Sequence, residues 1–322
     1  MPRIGLVLGA GGASGGAFHA GMLAALFEHT GWDPRSSEVV VGTSAGSITG
    51  TVLRAGLSAA DLLNRQLGRP LTAEGVALLG PLANMAPPHI ARPDLRRMPR
   101  AVSAPLAVLR AASRPWAVRP GSLAAALLPP GTVGTEVITE MVGALAGDAW
   151  PPGDLRICTV RLSTGRRVVF RRDSVPAAPL GMAVAASCAI PSFFEPVRIG
   201  QARYVDGGVH SPTNLDLLKG MGLDLVVVSS PMSSAGRGLR VGFDAPLRRF
   251  CRAMLDAEAA RVRTRGTPVV AFQPTAEDQR VMGINPMDGG RRGSVAAAIR
   301  ESTLARLDRP DTKARLDPLF AR

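Results

Sequence analysis

Lysine is nearly absent from this chain. Of 38 basic residues only Lys219 and Lys313 are lysines, so arginine carries almost all of the positive charge. Aromatic residues make up 4% of the 322 positions. That leaves valine, leucine and alanine to fill a core, and it removes the stacking platforms on which nucleic acid binding relies, so no nucleic acid partner is expected. The three cysteines, Cys158, Cys188 and Cys251, are widely spaced. With no C-x-x-C pair and no dense framework they exclude a disulfide scaffold and fit a reducing, cytoplasmic setting. No stretch approaches the ~18 uninterrupted apolar residues of a spanning helix, and the opening "MPRIGLVLGAGG" dissolves into glycine too early for a signal peptide. The expectation is a soluble protein or one that rests on a membrane surface.

What is present is a large apolar share, 46%, and a net charge of +13, which favours anionic partners such as phospholipid surfaces. Residues 3–9, "RIGLVLG", read as a short buried strand ended by glycine. "GAFHAGMLAALFEHTG" reads as a helix closed by Gly31, "EVVVG" as a second buried strand and "SAGSITGTVLRAG" as a second helix. Strand and helix alternating with short joints predict a mainly parallel sheet. From about 62 to 152 the character changes. Between 62 and 130 there are nine arginines against two acids, Glu74 and Asp94, with many prolines, and the segment reads as a helical insertion or lid rather than a second domain.

The sheet pattern then resumes. "LRICTVRL" and "RRVVFRR" flank "STG" as a hairpin. "PLGMAVAASCAIPSFF" reads as a helix broken at Pro191, "ARYVD" as a strand, and "SPTNLDLLKG" as a helix capped by Ser211 with Pro212 at its first position. "LDLVVVSS" and "PVVAFQP" read as further strands, and "FDAPLRRFCRAMLDAEAARVRTRG" and "GSVAAAIRESTLARL" as helices. One α/β domain spanning 1–322, with 62–152 inserted in it, is the economical reading.

Gly42-Thr43-Ser44-Ala45-Gly46 fits G-x-S-x-G, the nucleophile elbow. A sharp strand-to-helix turn strains the serine backbone, and glycine two residues before and two after relieves the crowding. Ser44 Oγ then stands free at the carboxyl edge of the sheet, with the positive end of a helix behind it. A serine needs a base. His19, His29, His89 and His210 are the only histidines, so the late histidine of a conventional triad is missing. His210 remains one alternative. Asp206 in "RYVDGGVHSP" is the other: if its strand runs parallel to "EVVV", both strands end on one edge and the two side chains face each other. An exposed aspartate is a poor base at neutral pH, so this arrangement requires a partly desolvated pocket. Asp288 begins a second D-G-G, "MDGG", but no strand precedes it, and it reads as a loop residue.

"LGAGGASGG" follows the first strand. The dinucleotide pattern fails because Ser14 stands where glycine is required, and the P-loop pattern fails because Ala17 stands where lysine is required. What remains is a bare backbone loop whose N–H groups form an oxyanion hole.

These pieces in this order, a glycine loop, G-x-S-x-G about thirty residues on and a distant D-G-G, resemble the patatin-like phospholipase family. "LVLGAGGASGGAFHAGMLAAL", "VVVGTSAGSITG", "AVAASCAIPSFFEPV" and "YVDGG" all look like its landmarks. The resemblance implies a three-layer α/β fold with helices on both faces of a mainly parallel sheet. It implies a serine acyl hydrolase of lipid esters with Ser44 as nucleophile and Asp206 as base. Gly42 and Gly46 would frame the elbow, and Gly207 and Gly208 the turn after the base. The amides of Gly11, Gly12 and Ala13 would bind the oxyanion, without metal or cofactor. Two departures stand out. Ser14 or Gly15 occupies the place of a basic residue after the glycines, and "VHSPTN" displaces the asparagine that often follows D-G-G.

A lipid ester is therefore the expected substrate. Peripheral contact with an anionic membrane is expected through Leu95, Met98, Val102, Leu106 and Leu109, interleaved with Arg96, Arg97, Arg100 and Arg110. The alternative is a patatin-like scaffold that holds lipid at an anionic membrane without turning it over. Oligomeric state is left open.

Overall fold

The computed structural model describes residues 2–80, 93, 94, 96, 98, 99, 102–105, 107, 108, 120–147, 149–236 and 244–320. Along these residues run β1 (Ile4–Leu8), α1 (Gly12–Thr30), β2 (Val39–Thr43), α2 (Ala45–Arg54), α3 (Ala59–Leu67), α4 (Ala73–Leu79), α5 (Pro120–Leu127) and α6 (Glu136–Ala146). They are followed by β3 (Asp154–Arg161), β4 (Arg166–Phe170), α7 (Leu180–Cys188), β5 (Val197–Ile199), β6 (Ala202–Asp206), β7 (Leu225–Ser229), α8 (Ala245–Arg263), β8 (Val269–Phe272), α9 (Ala276–Met282), α10 (Arg292–Leu307) and α11 (Pro310–Arg315).

The strands form one sheet in the order β5-β6-β3-β2-β1-β7-β8, with β4 also on β3. From β3 to β8 every pairing on that path is parallel. The apolar runs explain why. Ile4, Leu6, Leu8 and Val40 face one layer of core with α1, α2, α3, α7 and α10. Val7, Val39 and Val41 face the other, where α8 supplies Leu255, Ala259 and Val262. A strand buried on both faces has no polar side to alternate with, so its sequence is continuously apolar. The three layers are those expected.

One strand departs from expectation in a way that matters. β6 runs antiparallel to β3, and β3 runs parallel to β2, so the strand that ends in Asp206 opposes the strand that ends at Ser44. Convergence comes from register instead. β4 pairs with Cys158 and Thr159 on one side of β3. On the opposite side Cys158 pairs with Thr43 of β2, and the next residue, Thr159, pairs with Asp206 of β6. β2 and β6 therefore meet end to end along one edge of β3. The reversal follows from the tight β5–β6 hairpin, in which Ile199 pairs with Ala202 around a left-handed Gly200.

Two further expectations change. α1 begins at Gly12 rather than Gly16, so most of the glycine segment forms the first turns of a helix. The helix expected over 211–220 is instead a turn followed by a short 3-10 helix, Leu215–Leu218. Ser211 Oγ accepts the N–H groups of Thr213 and Asn214, and Asn214 takes a left-handed conformation, φ 53°.

The described parts of 62–152 include the helices α4, α5 and α6 joined by irregular stretches, and α6 packs on α7 and α2. Among the residues expected to contact a membrane, Leu95, Leu106, Leu109, Arg97, Arg100 and Arg110 lie outside the described residues. Among the described residues, no helix is long and apolar enough to cross a membrane.

The pairing of α1 with α10 depends on a missing side chain. A Cβ on Gly21 would lie 2.4 Å from the carbonyl oxygen of Ala296. Gly21→Ala is expected to cost about 1–3 kcal/mol by forcing the helices apart, read from the midpoint of a denaturant melt. An unchanged midpoint would show that the packing tolerates the methyl.

Candidate active site

β2 delivers Ser44 directly from a buried strand into α2. Its backbone sits at φ 54°, ψ −121°, a strained region for a residue with a side chain and the conformation a nucleophile elbow demands. Both flanking glycines are sterically required, for different reasons. A Cβ on Gly42 would lie 2.6 Å from Cα of Ser47 and 2.8 Å from the Gly46 carbonyl oxygen. A Cβ on Gly46 would meet the Leu8 carbonyl oxygen of β1 at 1.9 Å, so the second glycine lets α2 descend onto the neighbouring strand.

The strained turn is held by polar bonds that reach across the fold. The Ser44 N–H donates to Ser187 Oγ at 2.9 Å, and the Ser187 hydroxyl donates to the Cys158 carbonyl at 2.7 Å. The Ser47 hydroxyl donates to the Ser44 carbonyl at 2.6 Å. Just upstream, the Asn214 amide donates to Thr43 Oγ1 at 3.1 Å while its oxygen accepts from Arg167. Glu258 anchors the segment that carries Asn214, accepting from the Thr213 hydroxyl at 2.8 Å and the Leu215 N–H at 3.0 Å. Burial raises its carboxyl above the usual carboxylate range.

Asp206 ends β6 with 5% of its surface exposed, and Ser44 has 4% exposed. The Ser44 side chain lies close enough to the Asp206 carboxyl to pull its pKa down against the effect of burial. The Gly208 N–H donates to Asp206 Oδ1 at 2.7 Å, which fixes the rotamer and explains the D-G-G turn. A Cβ on Gly207 would lie 2.3 Å from the Cys158 carbonyl oxygen, so that position must be bare. Burial pushes the Asp206 carboxyl from its ordinary value of 3.8 up to about 6, against the opposing pull of the Ser44 side chain and the Gly208 amide.

The remaining candidates separate. Gly12 and Ala13 border the same cavity as Ser44, whereas Gly11 borders a different recess beside Pro231 and Met282. The amides of Gly11, Gly12 and Ala13 have no partner among the described residues, as expected for the open N-terminus of a helix. The Ser14 amide is already taken by the Pro286 carbonyl at 3.0 Å. His19 is fully buried, with Nε2 2.8 Å from the Gly9 carbonyl and Nδ1 2.7 Å from Ser229 Oγ. Burial lowers its pKa to about 4, so it is a neutral strut, with Nε2–H donating to Gly9 and Nδ1 accepting from Ser229. His210 does not border the Ser44 cavity, and His89 lies outside the described residues. Asp288 caps a short surface turn through Gly290. Cys188 does border the cavity, but burial and the nearby Asp206 charge push its thiol up, keeping it protonated and inert beside Ser44.

The cavity is mostly apolar. Ile48 and Val52 of α2, Met141 and Leu145 of α6, and Ile190 and Phe194 after α7 contribute to its walls, so the 62–152 segment supplies one side of it. The sequence did not single out Ser187 or Asn214. Ser187 stands as a polar residue within an otherwise small and apolar helix, and Asn214 follows a Ser-Pro-Thr turn; both are recognisable signals of a buried polar bond.

A mainly parallel sheet whose second strand leads into a strained, buried serine, with a buried carboxyl beside it, defines the class of α/β proteins that carry a nucleophile elbow. The chain belongs to the patatin-like phospholipase family, whose model matches residues 6–219. It is 29% identical over 236 residues to uncharacterized NTE family proteins of Mycobacterium bovis and Mycobacterium tuberculosis, covering 73% of this chain and 51% of each relative. The chain thus spans about half the length of the curated relatives it matches. Among solved structures, VipD from Legionella pneumophila aligns with 96% of this chain and 67% of its own at 14% identity and TM-score 0.45. The ExoU–SpcU complex of Pseudomonas aeruginosa aligns with 96% of this chain and 52% of its own at 18% identity and TM-score 0.34.

The raised Asp206 carboxyl has a stability consequence whose sign is fixed. Between pH 3.8 and about 6 the folded state holds a proton that the unfolded state releases. Asp206 therefore costs stability progressively as pH rises through that window, up to about 3 kcal/mol above it. Asp206→Asn is expected to be more stable than wild type at about pH 8 and equal to it below about pH 4. Equal melting curves at all pH values would show that the carboxyl is not raised.

Proposed function

We propose that this chain is a serine acyl hydrolase that cleaves carboxylic ester bonds of lipids. The observation that carries this reading is the strained, buried Ser44 at the border of an apolar cavity, with the buried Asp206 carboxyl near enough to it to feel its side chain. Ser44 Oγ attacks the ester carbonyl carbon, and Asp206 accepts its proton as the bond forms. The open amides of Gly12 and Ala13, with Gly11 beside them, hold the tetrahedral oxygen; one such donor is typically worth about 3–4 kcal/mol of barrier. Gly42 and Gly46 keep the elbow sharp, and Gly207 and Gly208 aim the carboxylate. The leaving alcohol takes the proton back from Asp206. Water, deprotonated by the same carboxylate, then releases the acyl group from Ser44.

An ordinary aspartate is too weak a base for this work. A value near 6 brings Asp206 closer to neutral operating conditions, at the stability cost described above. The apolar walls suit an acyl chain, and the 62–152 segment acts as a cover whose α6 contributes Met141 and Leu145. That cover brings the protein to anionic membranes: co-sedimentation with anionic but not zwitterionic vesicles, lost at high salt, is the expected result, and equal binding to both contradicts it.

Hydrolysis of a p-nitrophenyl acyl ester tests the reaction. Ser44→Ala and Asp206→Asn are each expected to lose at least ~1000-fold in kcat/KM. Because the carboxylate must be ionised to accept a proton, kcat/KM rises with pH through an inflection near 6. Undiminished activity in Ser44→Ala would refute the nucleophile, and a flat profile between pH 5 and 7 would refute the base.

A further inference from the structure

The cavity beside Ser44 has a direction and an end. Its α2 wall is made by Ser44 itself, Ala45, Ile48, Thr49 and Val52, positions spaced so that they share one face of a helix. The α6 wall repeats the pattern with Val137, Ile138, Met141 and Leu145, and the two helices pack on each other. A cavity bordered by both helices along their lengths is a slot, and it runs from the nucleophile along α2. At about 1.5 Å of rise per residue, the step from Ser44 to Val52 is about 12 Å. Beyond Val52 the slot stops. Leu57, which follows the end of α2, donates its N–H to the Val52 carbonyl at 3.0 Å and so folds back across the helix terminus. Leu62, on α3, also borders the cavity. Val52, Leu57 and Leu62 are all buried and belong to one continuous core layer. None of them can swing into solvent to make room, so among the described residues the far end is a wall of packed core.

Length and volume bound what fits. A stretched alkyl chain advances about 1.3 Å per carbon, the projection of a carbon–carbon bond of about 1.5 Å, so about nine carbons reach from Ser44 to the Val52 turn. The cavity volume is about 180 Å³. An apolar protein cavity of about 150 Å³ holds the six carbons of benzene, so this one admits about seven. Volume is the tighter limit, and it decides. With the carbonyl carbon at Ser44 and about seven more in the slot, the matching acyl group is octanoyl. Up to that length each methylene leaves water for an apolar wall, which strengthens binding about fourfold. Beyond it the chain has to displace packed core or double back, and overpacking a buried wall reverses the gain.

We propose that Val52, Leu57 and Leu62 form a stop that makes this site select medium-chain acyl groups, with its optimum at octanoyl. This inference rests on the hydrolase reading for its catalytic meaning, and a binding measurement without turnover separates the two.

The experiment uses the full chain. In the first arm kcat/KM is measured with butanoyl, hexanoyl, octanoyl, decanoyl and dodecanoyl p-nitrophenyl esters, all kept monomeric. In the second arm calorimetry follows binding of methyl ketones of the same chain lengths to the Ser44→Ala protein; these are uncharged and cannot be hydrolysed. The expected kcat/KM climbs about tenfold or more from butanoyl to octanoyl and falls about tenfold or more from octanoyl to dodecanoyl, and ketone affinity breaks at the same length. A value that keeps rising or stays level through dodecanoyl, or that peaks at butanoyl, overturns the proposal without needing any variant. Val52→Phe fills the far end and moves the optimum down to hexanoyl, and Leu57→Ala opens it and moves the optimum up to decanoyl, each checked for folding by a thermal melt. If Leu57→Ala does not fold, Val52→Phe decides. An optimum that stays at octanoyl in folded Val52→Phe places the stop elsewhere and overturns the assignment. If ketone affinity breaks at octanoyl length while wild type hydrolyses no ester, the stop stands and the hydrolase reading falls. If esters of every length are cleaved equally well, the stop falls and the hydrolase reading stands.

Discussion

The site depends on where two strands stop. β3 is longer than β2, and its edge accommodates β2 up to Cys158 and β6 from Thr159 onward. Because the two shorter strands approach head to head on β3, the ladder brings the residue leaving one beside the last residue of the other, and the Ser187 hydroxyl holds the Ser44 N–H there. No flexible loop sets the distance between Ser44 and Asp206. Rigid sheet register is a better means of holding a reacting pair than a mobile connection, since small misplacements cost large factors in rate.

Around that junction the protein maintains features that are unfavourable in themselves. Ser44 has a strained backbone, Asp206 is a buried carboxyl, and the amides of Gly11, Gly12 and Ala13 have no partner among the described residues. Each is held by neighbours with ordinary chemistry: Ser187 and Ser47 on the elbow, Gly208 on the carboxyl, His19 between the glycine segment and β7, and Glu258 and Asn214 behind Thr43. The pattern is that of a fold trading stability for preorganisation at one place.

Much of this was legible in the sequence because it is local. Continuous valine runs ended by glycine mark buried parallel strands, and G-x-S-x-G directly after one marks an elbow. The D-G-G after "ARYVD" is local too, since the second glycine amide binds the aspartate side chain. The direction of β6 was not read, although its signal was present: "VRIGQARY" places Gly200 in a two-residue connection between short strands, the pattern of a tight hairpin. The helix expected at Ser211 failed because its side chain bonds locally while Asn214 bonds to Thr43, 171 positions away. The Ser187–Ser44 bond spans 143 positions. Such partners are invisible to periodicity, which reports only which face of an element is buried.

The most direct measurement is covalent labelling of the intact protein with an alkyl fluorophosphonate, followed by peptide mass spectrometry and timed across pH. The account predicts one adduct, on Ser44, forming at a rate that climbs through pH 6 and falls sharply in Asp206→Asn. An adduct on another residue, or labelling of Ser44 that proceeds as fast without the Asp206 carboxylate, would contradict it.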